Sequence, residues 1–255
     1  MGALSGRHAL ITGGGTGIGA AIARVLADEG AAVSLAGRRK APLDQVAGSL
    51  RKATAIVADV TKEMDCVAMA AAARAAHGPI DIVIANAGAA ISVPFAKMDL
   101  GHWSGMIDVN LTGAFLTVKA ALADVTRQSA GVRRIVFISS TAGLKGYPYV
   151  AAYCAAKHGV VGLARALSLE LAPSGVTVNA ICPGYTDTPL LDAAAEKIST
   201  KTGRSREDSR AIFARDNPSG RLVRPEEIAR AVLRLCLPSA ASVNGETIPI
   251  TGDQG

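Results

Sequence analysis

The sequence predicts an α/β fold with one doubly wound parallel sheet. Three observations carry that expectation. Seven short apolar runs alternate with longer Ala-rich helical stretches. The first run ends in a cluster of glycines that opens a helix. No Pro/Ser-rich linker, internal repeat or low-complexity tract divides the 255 residues, so residues 1–255 read as a single domain. The runs are Ala9–Thr12, Ala32–Ala36, Ala55–Ala58, Ile80–Ala85, Ile135–Ser139, Val176–Ile181 and Thr247–Ile250. They lack the polar alternation of a strand with one wet face, as expected of seven parallel strands covered by helices on both sides. The stretch from Tyr185 to Arg221 is polar, strandless and long, which suits a small helical lid over a cleft.

Composition narrows the class. Hydrophobic residues make up 49% of the chain and aromatic ones only 4%, so the core is built from Ala, Val, Ile and Leu. The net charge of +6 comes from Arg and Lys scattered over distant stretches, and no nucleic-acid motif accompanies it, so no nucleic-acid partner is expected. Cys66, Cys154, Cys182 and Cys236 show no paired spacing, and no metal site is expected. Met1–His8 has no apolar signal core, and no apolar run reaches the roughly 18 uninterrupted residues of a membrane span. The expectation is a cytoplasmic protein that does not engage a membrane.

After the first strand comes Thr12-Gly13-Gly14-Gly15-Thr16-Gly17-Ile18-Gly19. A helical pattern follows through Ile22, Val25 and Leu26 to a cap at Gly30. Glycines permit positive φ and remove Cβ atoms, so the backbone can approach a pyrophosphate whose charge meets amide groups at a helix N-terminus. Gly13, Gly15, Thr16, Gly17, Ile18 and Gly19 are therefore candidate dinucleotide contacts, although the spacing is G-x-x-x-G-x-G instead of the commoner G-x-G-x-x-G. The end of the second strand lies beside the adenosine ribose and reads Gly37-Arg38-Arg39, two cations without a carboxylate. Guanidinium groups suit the extra phosphate of NADP, which is the preferred cofactor, with NAD as the alternative. Asp59 is either a partner for the adenine amino group or a cap before Thr61.

Ketone and alcohol chemistry needs a group that exchanges a proton at oxygen, and a tyrosine can do so if its pKa of about 10 is lowered. Tyr153 has Lys157 one helical turn beyond it, and the ammonium is expected to favour the phenolate. Tyr147 and Tyr149 have no lysine at that spacing.

The turn Thr12–Gly19, the triplet Asn86-Ala87-Gly88, the pair Tyr153 and Lys157, and Pro183-Gly184 together resemble the short-chain dehydrogenase/reductase pattern over essentially the whole chain. Ala85 stands where the family usually has a first Asn. The resemblance implies a Rossmann-type fold and a catalytic tetrad of Asn110, Ser140, Tyr153 and Lys157. In it Ser140 orients the substrate oxygen, Lys157 also binds the nicotinamide ribose, and Asn110 holds a water leading to solvent. It further implies cofactor contacts from Asp59, Val60, Asn86, Ala87, Gly88, Pro183, Gly184 and Thr186, and a homotetramer formed through the helices around Asn110–Arg127 and Ala151–Leu171 and through the last strand, with Thr251–Gly255 beside it.

The resemblance to bacterial members acting on 3-oxoacyl or 3-hydroxyacyl thioesters makes such a thioester the leading small-molecule substrate. Polyketide-like carbonyls, cyclic alcohols, sugars and steroids are the alternatives. Arg204, Arg206 and Arg210 either form a solvated helix face or meet the phosphates of an acyl carrier. However, the seven basic side chains of the Tyr185–Arg221 stretch are nearly balanced by acids, and no anion funnel emerges. A dinucleotide-binding regulator without turnover is the competing class, and it has no need of an intact tetrad.

Overall fold

A computed structural model of the chain describes residues 2–127 and 131–252. The seven apolar runs form seven strands: β1 (His8–Thr12), β2 (Ala32–Gly37), β3 (Ala53–Val57), β4 (Ile82–Ala85), β5 (Arg134–Ile138), β6 (Thr177–Pro183) and β7 (Thr247–Ile250). They make one sheet in the order β3-β2-β1-β4-β5-β6-β7, and every pairing is parallel. The chain winds outward from β1 to β3, then crosses to the other side of β1 to begin β4. That leaves a crevice at the carboxyl ends of β1 and β4, where doubly wound sheets bind ligands.

Burial on both faces explains the unbroken apolar runs. Ala9 and Ile11 of β1, Ile82 and Ile84 of β4, and Val136 and Ile138 of β5 pack into one core cluster. Their neighbours Leu10, Val83, Ala85, Ile135 and Phe137 point the other way into a second. The first cluster is closed by helices α1 (Gly17–Asp28) and α9 (Pro225–Cys236), through Ile22, Leu26, Ile228 and Val232. Helix α2 (Lys40–Gly48) adds Leu43 and Val46 to it. The second is closed by α3 (Glu63–His77), α5 (Gly113–Val125) and α6 (Ala151–Leu171). Each large aliphatic side chain taken out of water contributes about 1.5–3 kcal/mol, so these layers supply the main driving force.

Strand ends differ from the sequence reading where polar groups intervene. β4 begins at Ile82 because the buried Asp81 carboxylate accepts from the His8 amide at 2.9 Å. The expected cap of α1 is present: Gly30 follows the helix with φ of 90° and donates to the Ala27 carbonyl.

The helix layer adds one element that no uninterrupted apolar run announces. Helix α4 (Leu100–Ile107) passes through a π-turn at Asp108–Thr112 into α5, giving a continuous helix Leu100–Val125 of 26 residues that is apolar and long enough to cross a membrane. No single apolar run announces it, because Asp99, His102, Asp108 and Asn110 punctuate the sequence. Its apolar face is used by the sheet, against which Ala114, Leu116, Val118, Ala121 and Val125 are buried.

Between β6 and α9 the Tyr185–Arg221 stretch folds into α7 (Pro189–Thr202) and α8 (Arg206–Arg215). Thr188 and Ser205 cap the two helices, accepting from Leu191 at 3.4 Å and Asp208 at 3.0 Å. An isolated parallel bridge, Thr186 to Val223, holds the two ends of the stretch together.

At the opposite end of β1, His8 is 2% exposed. Its Nδ1 donates to the Gly78 carbonyl at 2.9 Å, so Nε2 accepts from the Ser34 hydroxyl at 2.9 Å. Burial pushes the imidazole below its ordinary range, with the His77 ring 5.3 Å away adding repulsion and Asp81 opposing it. His77 is lowered as well, chiefly by burial. The folded state thus binds fewer protons than the unfolded chain. The stability contributed is complete above the unfolded imidazole value of about 6.5 and is lost as pH falls below it, at up to about 1.4 kcal/mol per pH unit for His8 and by less for the more solvent-screened His77. Thermal melts should therefore show Tm falling between pH 7 and 5, with a shallower fall in His8→Asn; a wild-type Tm constant over that range contradicts the assignment.

Candidate active site

The glycine turn after β1 is built so that backbone can lie against backbone. Gly13 and Gly14 donate to the Ala36 carbonyl at 2.8 and 3.2 Å, and Gly13 has φ of 67°. A Cβ on Gly19 would stand 2.2 Å from the Gly13 carbonyl oxygen, and one on Gly13 would stand 2.7 Å from Asn86 Nδ2. Asn86 is the brace of this turn. Its Nδ2 donates to the Thr12 carbonyl at 2.9 Å and the Gly13 carbonyl at 3.3 Å, while Thr12 Oγ1 accepts from the Asn86 and Ala87 amides at 3.1 and 3.2 Å. Thr16 caps α1 without a side-chain hydrogen bond, so the first-turn amides have no side-chain acceptor of their own. They face a cleft lined by Gly13, Gly15, Thr16, Gly17 and Ile18. Unsatisfied amides at a helix start, with the space left by missing Cβ atoms, fit a dinucleotide pyrophosphate.

Arg38 and Arg39 are exposed on the cleft wall beyond β2, and the half-buried Asp59 and buried Val60 beyond β3 also line it. Asp59 Oδ1 accepts from the Thr61 amide at 3.0 Å and its hydroxyl at 2.9 Å, so the carboxylate does cap its own turn. These bonds, and Arg38 more weakly, hold its carboxyl below the usual range. Two guanidinium groups at this rim suit a ribose phosphate, and the residues present fit NADP.

The far end of the cleft holds the chemistry-bearing side chains. Lys157 on α6 is 4% exposed, and its ammonium donates to the Ile138 carbonyl at 2.9 Å. It lies 5.7 Å from the centre of the Tyr153 ring. The Ser139 hydroxyl donates to the Lys157 carbonyl at 3.0 Å, and the Ser140 hydroxyl accepts from the Ala142 amide at 3.1 Å. Asn110 sits in the π-turn, 1% exposed, and donates to the carbonyls of Ala89 at 2.9 Å and Met106 at 3.0 Å. The π-turn gives the Asn110 amide its inward aim, and widened helical turns often mark functional sites. Gly88 completes the contact: a Cβ there would meet Asn110 Oδ1 at 2.7 Å and Lys157 Nζ at 3.6 Å.

The electrostatics differ from the sequence expectation. Burial of its hydroxyl end pushes the Tyr153 phenol up to about 12, against the opposing hydrogen bond of Ser140. Burial likewise pushes Lys157 down to about 8. Desolvation, which both groups share, sets the direction of each shift.

Most sequence-predicted site residues meet in this one cleft, which is also lined by Asn86, Ala87, Gly88, Asn110, Tyr153 and Lys157. Gly19, Ser140, Pro183, Gly184 and Thr186 are not on its lining. Gly19 is buried under the turn, and Thr186 is 7% exposed with its hydroxyl turned back to the Gly184 carbonyl at 2.9 Å. Sequence reasoning missed Thr188, Pro189 and Leu190, which close the cleft from the start of α7, although Thr188-Pro189 is a legible helix start. Arg206 and Arg210, read as a solvated face or as carrier-phosphate contacts, are engaged by carboxylates. Arg210 pairs with Asp187 at 2.7 Å and with Asp192, and Arg206 pairs with Asp192 at 3.3 Å. Both guanidinium groups thus tie α8 to α7, and Arg210 also ties it to the loop after β6.

Comparison with known proteins agrees with this geometry. The family model for short chain dehydrogenases matches residues 7–199. An acetoacetyl-CoA reductase of Shinella zoogloeoides is 39% identical over 253 residues, covering 97% of this chain and 98% of that protein. A cis-4-hydroxycyclohexanecarboxylate dehydrogenase of Sinomonas cyclohexanicum is 38% identical over 255 residues, covering 98% and 97%. The crystal structure of a variant of actinorhodin polyketide ketoreductase with NADPH superposes with a TM-score of 0.92 at 36% identity, covering 99% of this chain and 98% of that one. With a parallel seven-stranded sheet, a glycine-bare crevice and relatives along nearly its full length, the chain belongs to the short-chain dehydrogenase family of oxidoreductases.

Proposed function

We propose that this oxidoreductase interconverts a ketone and a secondary alcohol with NADP(H), using Tyr153 as the proton-transfer residue. The observation that carries the reading is the burial of the Tyr153 hydroxyl and the Lys157 ammonium together at the inner end of the glycine-lined cleft. The bound nicotinamide supplies or accepts the hydride. Tyr153 gives its proton to the substrate oxygen in the reducing direction, and a phenol pushed up to about 12 keeps that proton until it is needed. Lys157 stabilises the phenolate left behind and binds the nicotinamide ribose. Ser140 holds the substrate oxygen within reach of Tyr153. Asn110, whose Nδ2 donates to the carbonyls of Ala89 and Met106 and whose Oδ1 accepts from the Ala89 amide at 3.3 Å, would hold a water that relays protons to the lysine. Asp59, Val60, Asn86, Ala87 and Gly88 support the dinucleotide along the crevice floor, with Pro183, Gly184 and Thr186 behind the nicotinamide.

The helices α7 and α8 act as the lid of a single catalytic domain. A 3-oxoacyl thioester is supported as substrate by the name of the Shinella relative, but it loses the carrier-phosphate anchors at Arg206 and Arg210, which are paired with carboxylates. The name of the Sinomonas relative supports a cyclic alcohol or ketone. The assembly is a homotetramer, for which the exposed Phe115 on α5 and Leu169 on α6 supply apolar contact surface; Asp253–Gly255, expected beside that interface, lie outside the described residues. Four free, buried cysteines suit a reducing cytoplasm.

Two measurements test this reading. Tyr153→Phe should lower kcat/KM for ketone reduction by about a hundredfold or more while NADPH affinity stays within about twofold, as loss of a general acid requires; retention of most turnover contradicts the assignment. Arg38→Ala should weaken NADPH by roughly tenfold and leave NADH nearly unchanged, the loss expected of one charge-assisted phosphate contact. Equal effects on the two cofactors overturn the NADP preference.

A further inference from the structure

Lys157 is held at two points. Its ammonium donates to the Ile138 carbonyl at 2.9 Å, and its main-chain carbonyl accepts from the Ser139 hydroxyl at 3.0 Å. Ile138 ends β5 and Ser139 follows it, so two consecutive residues at the carboxyl edge of the sheet grip the tip and the root of one side chain on α6. The first bond alone would leave the helix free to slide, and the second alone would leave a long side chain free to swing. Together they fix where the ammonium stands.

Ser139 is well placed for this. It is buried, and its own amide donates to the Ile181 carbonyl of β6 at 2.8 Å, so its hydroxyl reaches α6 from a fixed point on the sheet. Lys157 lies inside α6, where the helix ladder already uses one lone pair of each carbonyl, so a second donor there is not needed to build the helix. Other buried hydroxyls behave differently. Those of Thr117, Ser168 and Ser209 donate to the carbonyls of Gly113, Arg165 and Ser205, three or four residues back along the chain. Gly143 keeps room for the Ser139 bond, since a Cβ there would stand 2.6 Å from both the Lys157 carbonyl oxygen and the Ser139 hydroxyl oxygen. The titratable groups that face the ammonium are the Tyr153 phenol on α6 and the Cys182 thiol of β6. Burial pushes both of them up, so they stay neutral while Lys157 loses its proton.

We propose that Ser139 is a positioning residue for the reaction, fixing Lys157 against the sheet so that its ammonium stays beside Tyr153. The inference rests on the assignment of Tyr153 and Lys157 as the proton-transfer pair only for its effect on rate. NMR titration of isotope-labelled lysine in the full-length protein without dinucleotide reads the placement, with the Lys157 signal identified by its loss in Lys157→Met. Ser139→Ala should move the Lys157 titration up by about half a pH unit or more relative to wild type, because burial is what holds it down and a loosened helix admits water. In the same variant kcat for ketone reduction with NADPH should fall about tenfold, with KM for the ketone within about twofold, as expected when a reacting group is slightly displaced. Ser168→Ala, which removes a buried hydroxyl from the same helix, should move neither.

An unmoved Lys157 titration in Ser139→Ala, a kcat within about twofold of wild type, or an equal shift in Ser168→Ala overturns the proposal. If the alanine variant does not fold, Ser139→Cys, similar in size and a weaker donor, is read in the same way. If Tyr153→Phe keeps most of its turnover, the proton-transfer reading fails, and the titration alone then decides whether Ser139 places Lys157.

Discussion

The contact on which the site depends is the bond from the buried Lys157 ammonium to the Ile138 carbonyl at the end of β5. An ammonium taken out of water needs acceptors, and this one finds its acceptor only where α6 presses against the carboxyl edge of the sheet. That packing fixes the first turns of α6 and carries Tyr153 inward one turn earlier. It also sets the electrostatics, since the desolvation that pushes Lys157 down to about 8 pushes the Tyr153 phenol up to about 12. The pair is poised as a protonated acid beside a cation that gives up its charge in mildly basic solution.

Close backbone approach at glycines makes that poise reproducible. Gly88 leaves room for Asn110 and Lys157, Gly19 for the turn at Gly13, and Gly143 for the carbonyl of Lys157, 2.6 Å from where its Cβ would be. The glycine-lined crevice and the proposed proton-transfer pair are thus two ends of one arrangement, bridged by the loop from β4 that contributes both Asn86 and Gly88. Away from that edge the molecule is conventional: two aliphatic layers cover a sheet, and polar groups such as His8 and Asp81 seal its opposite end.

Much of this was legible in the sequence, because the signals are local. Each apolar run became a strand, since a strand buried on both faces has no reason to alternate. The Gly13–Gly19 turn and the Tyr153–Lys157 spacing both encode geometry within one or two helical turns. What stayed hidden depends on distant partners. The π-turn that aims Asn110 has no sequence period of its own. The helix Leu100–Val125 was masked by the polar residues that the turn accommodates. Arg206 and Arg210 read as solvated or phosphate-seeking until folding put Asp187 and Asp192 beside them. The direction of the Tyr153 shift was misjudged because spacing reports the nearby charge but not the depth at which both groups lie.

The central claim is that one buried pair holds a protonated phenol next to a weakened lysine. NMR titration of isotope-labelled tyrosine and lysine in the protein without dinucleotide tests it most directly, with the two signals identified by their loss in single substitutions. The account predicts that the Tyr153 phenol titrates above the ordinary value of about 10 and that Lys157 loses its proton at about 8. A phenol that already ionises near neutral pH, beside a lysine that stays charged to its ordinary value, would contradict it.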